Sequence, residues 1–224
     1  MAHTEKELYV VISKIKIKTG LSVILGVLSL FLITLSVISL VSLAQSKESI
    51  TKIDRIEGDQ IIPLHEIHSD LLSARIVAQK ISTLLVNNQD EDVDYLLEKE
   101  GKYISSAVSG MHELRQVIPL TPEGVNLRRE IDLSFNAYME KAIYPMQRSL
   151  KMRDLNSYRN VLKNDMSEYS EKFQKNMNDF SYFARGLGDK EVYDSVVNYR
   201  HSSIIILSVF VLSVIVIIVS VLII

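Results

Sequence analysis

The sequence predicts an all-α protein: an antiparallel, up-down-up-down four-helix bundle whose first and fourth helices continue into two transmembrane helices. Three observations carry this. Hydrophobic residues make up 47% of the chain, yet it has only 8 Gly and 4 Pro to build turns. The apolar residues gather into one long uncharged run near each end. Between the runs, apolar residues recur at spacings of three and four, the period of a helix with one buried stripe.

The first run, Thr19 to Ala44, contains no charged residue. As a helix it spans roughly 39 Å, more than a bilayer core requires, so it can cross with some tilt. A cleaved signal peptide is the competing reading, because lysines precede the run and Ser42-Leu43-Ala44 ends in a small residue. The apolar part of such a peptide is normally about 7–15 residues, and this run is far longer. The second run, Ser202 to Ile224, ends in FVLSVIVIIVSVLII with no amphipathic interruption, and reads as a second span.

Residues 1–18 are expected to form a cytoplasmic tail. Lys6, Lys14, Lys16 and Lys18 lie beside the first span and favour the cytoplasmic side. Residues 45–201 then lie outside the cytoplasm. The segment is too long for its own charges to set the orientation. The chain has 25 Lys+Arg against 27 Asp+Glu, and four of those lysines sit in the tail, so the middle segment is mildly acidic. That argues against a nucleic-acid partner, which calls for a net basic stripe with stacking aromatics. There is no cysteine.

Within the middle segment, Ile50, Ile53, Leu64, Ile67, Leu71, Ala74, Ala78, Ile81 and Leu85 extend the first span outward as a long helix. Pro63 removes one helical hydrogen bond and is expected to bend it. Asn87-Asn88-Gln89-Asp90 breaks the pattern, and Asp90, Glu91, Asp92 and Asp94 put negative charge where a second helix begins. That helix is expected to run to about Val117. Thr121 and Pro122 then read as the N-cap and first position of a third helix. It carries Leu127, Ile131, Phe135, Tyr138 and Ala142 and meets Pro145, which should end or kink it. The fourth helix starts near Asn156 and carries Tyr158, Leu162, Met166, Tyr169, Phe173, Phe180, Phe183 and Leu187 on towards the second span.

Motifs for chemistry are weak. His65-Glu66-Ile67-His68 is not the HExxH pattern of zinc proteases and has no evident further ligands. The run Asp90, Asp92, Asp94 has Tyr95 where a calcium loop needs glycine, and Gly101 where it needs the final carboxylate. No phosphate loop or nucleophile set can be assigned, so a non-enzyme without cofactor or metal is expected.

Several segments resemble one family. ISKIKIKTGLSVILGVLSLFLITLSVISLVSL resembles the first span of bacterial methyl-accepting chemotaxis receptors of the aspartate and serine type. SARIVAQKISTLL is similar to the ligand-contacting stretch of their first periplasmic helix, and RDLNSYRNVL to its fourth-helix counterpart. The resemblance implies a homodimeric periplasmic sensor in which a piston movement of the last helix carries the signal inward. Its amino-acid-sensing members hold a ligand carboxylate with three arginines of the first helix. Arg75 matches the first of these, Lys80 keeps the charge at the second but not the bidentate fork, and Leu84 departs at the third. On the fourth helix Tyr158 matches a ligand contact, while Val161 and Lys163 stand where the family has an amide and a threonine.

The candidate ligand-binding residues are therefore Arg75, Lys80 and Tyr158, for a small anionic or amino-acid-like ligand. Arg75 and Lys80 are five residues apart, about 140° around a helix, so holding one anion together requires one from each subunit of a dimer. The competing reading of both is a solvated helix face. A histidine-kinase sensor module and a truncated, non-signalling membrane protein are the alternatives to a chemoreceptor. Kinase coupling is expected only if a cytoplasmic region follows.

Overall fold

In a computed structural model that describes the backbone of residues 2–223 and the side chains of residues 20–219, the chain is helical with short turns. The elements are α1 (Ala2–Ile56), α2 (Ile62–Val86), α3 (Val93–Gln116), α4 (Pro122–Tyr138), α5 (Tyr144–Lys151), α6 (Leu155–Val161) and α7 (Ser167–Ile223). Three π-helical turns, Glu57–Ile61, Met139–Ile143 and Leu162–Met166, join α1 to α2, α4 to α5 and α6 to α7. There are thus four long helices, as the periodicity predicts. The side chains of the lysine-rich tail, and the last residues of the second apolar run, lie outside those described.

Two units are distinct. One comprises residues 1–50 and 191–224, the other residues 51–190.

The first unit is built from α1 and α7. The two helices containing these segments, Gly20–Val86 and Leu155–Val219, are long and apolar enough to cross a membrane, with mean hydropathy of 2.7 and 3.1 in their apolar windows. Leu30, Leu32, Leu43, Leu207 and Leu212 are each at least 60% exposed, which only an apolar surrounding makes tolerable for so many neighbours. Several hydroxyls in these runs are satisfied along their own helices. Thr34 donates to the Leu30 carbonyl at 2.9 Å, Ser36 to Leu32 at 2.8 Å and Ser208 to Ile204 at 2.8 Å. A bilayer demands this, since no water is there to take the proton. Phe31 and Phe210 bring α1 and α7 together, with ring centroids 6.0 Å apart.

The second unit is a four-helix bundle with one continuous core. Leu64, Ile67, Leu71, Ala74, Ala78 and Ile81 bury one stripe of α2, three and four residues apart, and α2 packs along α3. Ile131, Phe135, Tyr138 and Ala142 do the same on the third long helix. Phe173 of α7 sits at the centre, fully buried, with Phe135 edge-on at 5.7 Å, Tyr138 at 6.1 Å and His68 at 6.3 Å. His68 is half-buried there, and its desolvation pushes its pKa below the usual histidine value, with help from His65 and Arg75.

The turns follow local chemistry. Asn88 takes the left-handed conformation at φ 53°, which asparagine tolerates better than most residues. Thr121 caps α4, its Oγ1 accepting from the Gly124 N–H at 3.1 Å, with Pro122 next to it. Asp154 caps α6, accepting from the N–H groups of Asn156 (3.1 Å) and Ser157 (3.0 Å). The carbonyls orphaned at the end of α3 are taken by Arg128, which donates to Val117 at 2.8 Å and to Leu114. Arg128 is nearly buried in doing so, and desolvation lowers its pKa.

Pro63 and Pro145 both follow a π-helical turn. A wider turn is one way to relieve the clash between a proline ring and the carbonyl one turn back. A π turn thus stands where the sequence leads one to expect a bend. The third π turn, Leu162–Met166, contains no proline and changes the register. Buried residues on this helix run Tyr158, Val161, then Met166, a gap of five in place of three or four. Leu162, expected in the core, is consequently turned out and 38% exposed. Ile50 likewise is 64% exposed, where the periodicity places it on a buried stripe.

Candidate functional site

One face of α2 and one face of α6 enclose a groove of about 680 Å³, the size of a small-molecule site. On the α2 side stand Arg75, Gln79, Ser82 and Thr83, with Leu72, Ile76 and Val86 as apolar wall. On the α6 side stand Leu155, Tyr158, Arg159 and Leu162. The spacing of Leu72, Ile76, Gln79, Thr83 and Val86 at three or four residues keeps them on one helix face. That face is opposite to the buried stripe through Ala74, Ala78 and Ile81.

Arg75 is half-buried and bridges the groove and the core. Burial raises the pKa of the Tyr138 phenol, and the Arg75 guanidinium lowers it through charge and hydrogen bonding. Tyr158 is buried at the groove's edge. Burial raises its pKa too, opposed by a hydrogen bond to Ser82 and by the charge of Arg75. Ser82 and Thr83 both donate to the Gln79 carbonyl at 3.0 Å, which fixes these hydroxyls on the helix surface. Arg75, Tyr158, Ser82 and Thr83 are therefore held before any ligand arrives, which lowers the ordering cost of binding.

Behind Tyr158 lies Glu100 of α3. It is fully buried, and neither carboxyl oxygen has a hydrogen-bond partner among the described residues. Burial pushes its pKa up to about 7, with Lys151 pulling the other way.

Of the three residues singled out from the sequence, the structure brings Arg75 and Tyr158 to one groove. Lys80 is exposed and outside the groove's lining. Arg159, which sequence reasoning passed over, lines the groove from α6. Its position beside Tyr158 in RDLNSYRNVL was the available signal.

The sequence model of the Tar ligand-binding-domain homologues, TarH, matches residues 11–184. The chain belongs to that family. TarH domains are sensor domains of chemoreceptors, and the family is not an enzymatic one. Among solved structures, the N-terminal ligand-binding domain of a methyl-accepting chemotaxis protein from Salmonella enterica is similar at a TM-score of 0.51 and 17% identity, over 61% of this chain and 98% of that one. That likeness is one of fold. No curated protein matches the chain. The TarH match reaches from within the N-terminal tail, through the first apolar run, into α7 as far as Ala184, and so contains every residue of the groove.

Proposed function

We propose that this TarH chain is the sensor portion of a transmembrane chemoreceptor. It binds a small extracellular ligand in the groove of α2 and α6 and passes the signal across the inner membrane. The observation that carries this is the groove itself. Its two guanidiniums and buried phenol stand on the two long helices that also contain the two apolar runs.

In this reading residues 1–18 are cytoplasmic, 19–44 and 202–224 cross the inner membrane, and 45–201 form the periplasmic sensor domain. The lysine tail favours that orientation. The chain acts as a homodimer. Ile62, Leu72, Ile76 and Val86 leave apolar surface on the outer face of α2, Ile76 at 69% exposure, and a second copy packed there covers it. Lys80, about 140° around from Arg75, then reaches a shared anion from the partner subunit.

A hybrid of residues 1–224 followed by a chemoreceptor signalling region tests the proposal in cells lacking other receptors. Kinase output should change with a small extracellular ligand, and Arg75→Ala should abolish that response without loss of inserted protein. A kinase-competent hybrid whose ligand response is unaltered by Arg75→Ala would sink the reading.

A further inference from the structure

Among the described residues, Glu100 is the only ionisable side chain with all its polar atoms buried and unpaired. Its surroundings offer little to a charge. On α3 itself Glu98, Lys99 and Lys102 are exposed, and Glu98 and Lys102 pair with each other at 2.7 Å. From α2, which packs along α3, the core receives Ala74, Ala78 and Ile81, while the cation Arg75 acts on Tyr138 and Tyr158. From α5 the charge of the exposed Lys151 reaches Glu100 without a hydrogen bond. From α6 the Tyr158 phenol feels the charge of Glu100, together with the hydrogen bond to Ser82 and the charge of Arg75. Tyr158 thus stands between the carboxyl and the groove.

A carboxyl in this place is tolerable while it holds its proton. Once ionised it has lost its hydration and gained no partner, and burial sets that event at about pH 7. The compensation at hand is water, admitted where the cover yields most easily. That place is α6. It has seven residues, with the left-handed Arg153 (φ 55°) before it and the π turn Leu162–Met166 after it. Its hold on the core is two side chains, Tyr158 and Val161, neither fully enclosed, whereas α5 is anchored by the fully buried Met146 and Leu150. A short segment between two irregular joints opens at lower cost than a long packed helix.

Resting on the receptor reading above, we infer that Glu100 is a proton site that regulates the groove from behind, through α6. With the proton on, α6 stays seated on the core and Tyr158 keeps its hydrogen bond to Ser82. When the proton leaves to solvent, water reaches the carboxylate, α6 lifts, and the wall formed by Tyr158, Arg159 and Leu162 moves. The groove therefore has one shape below neutral pH and another above it.

Because the chain has no cysteine, one introduced thiol reports the movement. Val161→Cys places it on the buried face of α6, and Ile131→Cys places a control in the core on α4. Each is alkylated in the full chain in a neutral detergent, with Glu100 intact and with Glu100→Gln. Rates are compared at the same pH, because the thiolate fraction itself changes with pH. The amide brings buried donors of its own, so the quantity read is how the ratio of the two rates changes with pH. For Val161→Cys the ratio, Glu100 over Glu100→Gln, should rise about tenfold or more from about pH 5.5 to about pH 8, following the ionisation. For Ile131→Cys it should stay within about twofold over the same range, since local opening leaves that part of the core closed. Glu100→Met, which fills the space without polar atoms, should give the same rise when it replaces Glu100→Gln. A ratio for Val161→Cys that is flat with pH, or a rise that Ile131→Cys matches, would overturn the inference. Either result leaves the receptor reading standing, whereas a hybrid receptor unaltered by Arg75→Ala would remove that reading and leave the proton-driven movement of α6 intact.

Discussion

Glu100 makes the stability of the bundle depend on pH in a direction opposite to that of most carboxylates. An exposed carboxyl titrates near 4.5, and burial raises this one to about 7. Between those values the folded chain keeps a proton that the unfolded chain has released. Stability therefore falls as pH rises through this window, and it levels off above about pH 7. Each unit of separation is worth about 1.4 kcal/mol, so the ionised side chain costs the folded state about 3 kcal/mol at about pH 8. Glu100→Gln removes the titration. The amide keeps the shape but brings its own buried donors, a pH-independent cost of about 1–3 kcal/mol, so the informative quantity is the difference between the two pH profiles. Thermal unfolding followed by circular dichroism from about pH 4 to about pH 8 measures it. Relative to wild type, Glu100→Gln should gain about 3 kcal/mol across that range, roughly 6–12 °C in midpoint for a domain of this size. His68 titrates in both proteins and cancels in the difference. Profiles that stay parallel would show that Glu100 is already ionised in the folded chain near neutral pH and refute the reasoning.

Phe173→Ala removes the ring that Phe135, Tyr138 and His68 pack around, and should cost about 3–5 kcal/mol in unfolding experiments; a loss below about 1 kcal/mol would mean that the core closes over the gap. Thr121→Ala deletes the cap on α4 and should cost about 1 kcal/mol, whereas Thr121→Ser should restore most of it. For topology, a cysteine at the exposed Ser105 should react with a membrane-impermeant thiol reagent in intact cells, and one at Ser13 should not. Labelling of the Ser13 cysteine behind an intact inner membrane would reverse the proposed orientation.

The helical architecture was legible because its signals are local and redundant. The stripe through Leu64, Ile67, Leu71, Ala74, Ala78 and Ile81 repeats over several turns, and Thr121-Pro122 fixes a helix start by hydrogen bonding and by φ alone. Arg75 and Tyr158 were legible only through the family register, since a lone arginine or tyrosine on a helix carries no mark of its partners. What remained hidden depends on contacts distant in sequence. Glu100 sits in EKEGK beside the exposed Glu98 and Lys99, and nothing in that string distinguishes the buried carboxylate from its solvated neighbours. Arg128 reads as a surface cation until the end of α3 is seen to need its protons. Leu162 was misplaced because a constant 3.6-residue period cannot anticipate a π turn.

A π turn holds one residue more than the α turn it replaces, and the helix beyond it is rotated by about 100° relative to an uninterrupted count. Each of the three helices with a π turn thus behaves as though a single residue had been spliced into it and absorbed locally. Beyond Leu162–Met166, equivalences with relatives whose fourth helix is unbroken slip by one position unless a gap is opened inside the turn. The same accommodation makes Leu162–Met166 a place where the chain can gain or lose one residue and still return Phe173, Met177 and Phe180 to the core. Length variation among related sensors is therefore expected to collect at this turn, next to the groove, where a one-residue change reshapes the Leu162 wall while the remainder of the bundle keeps its packing.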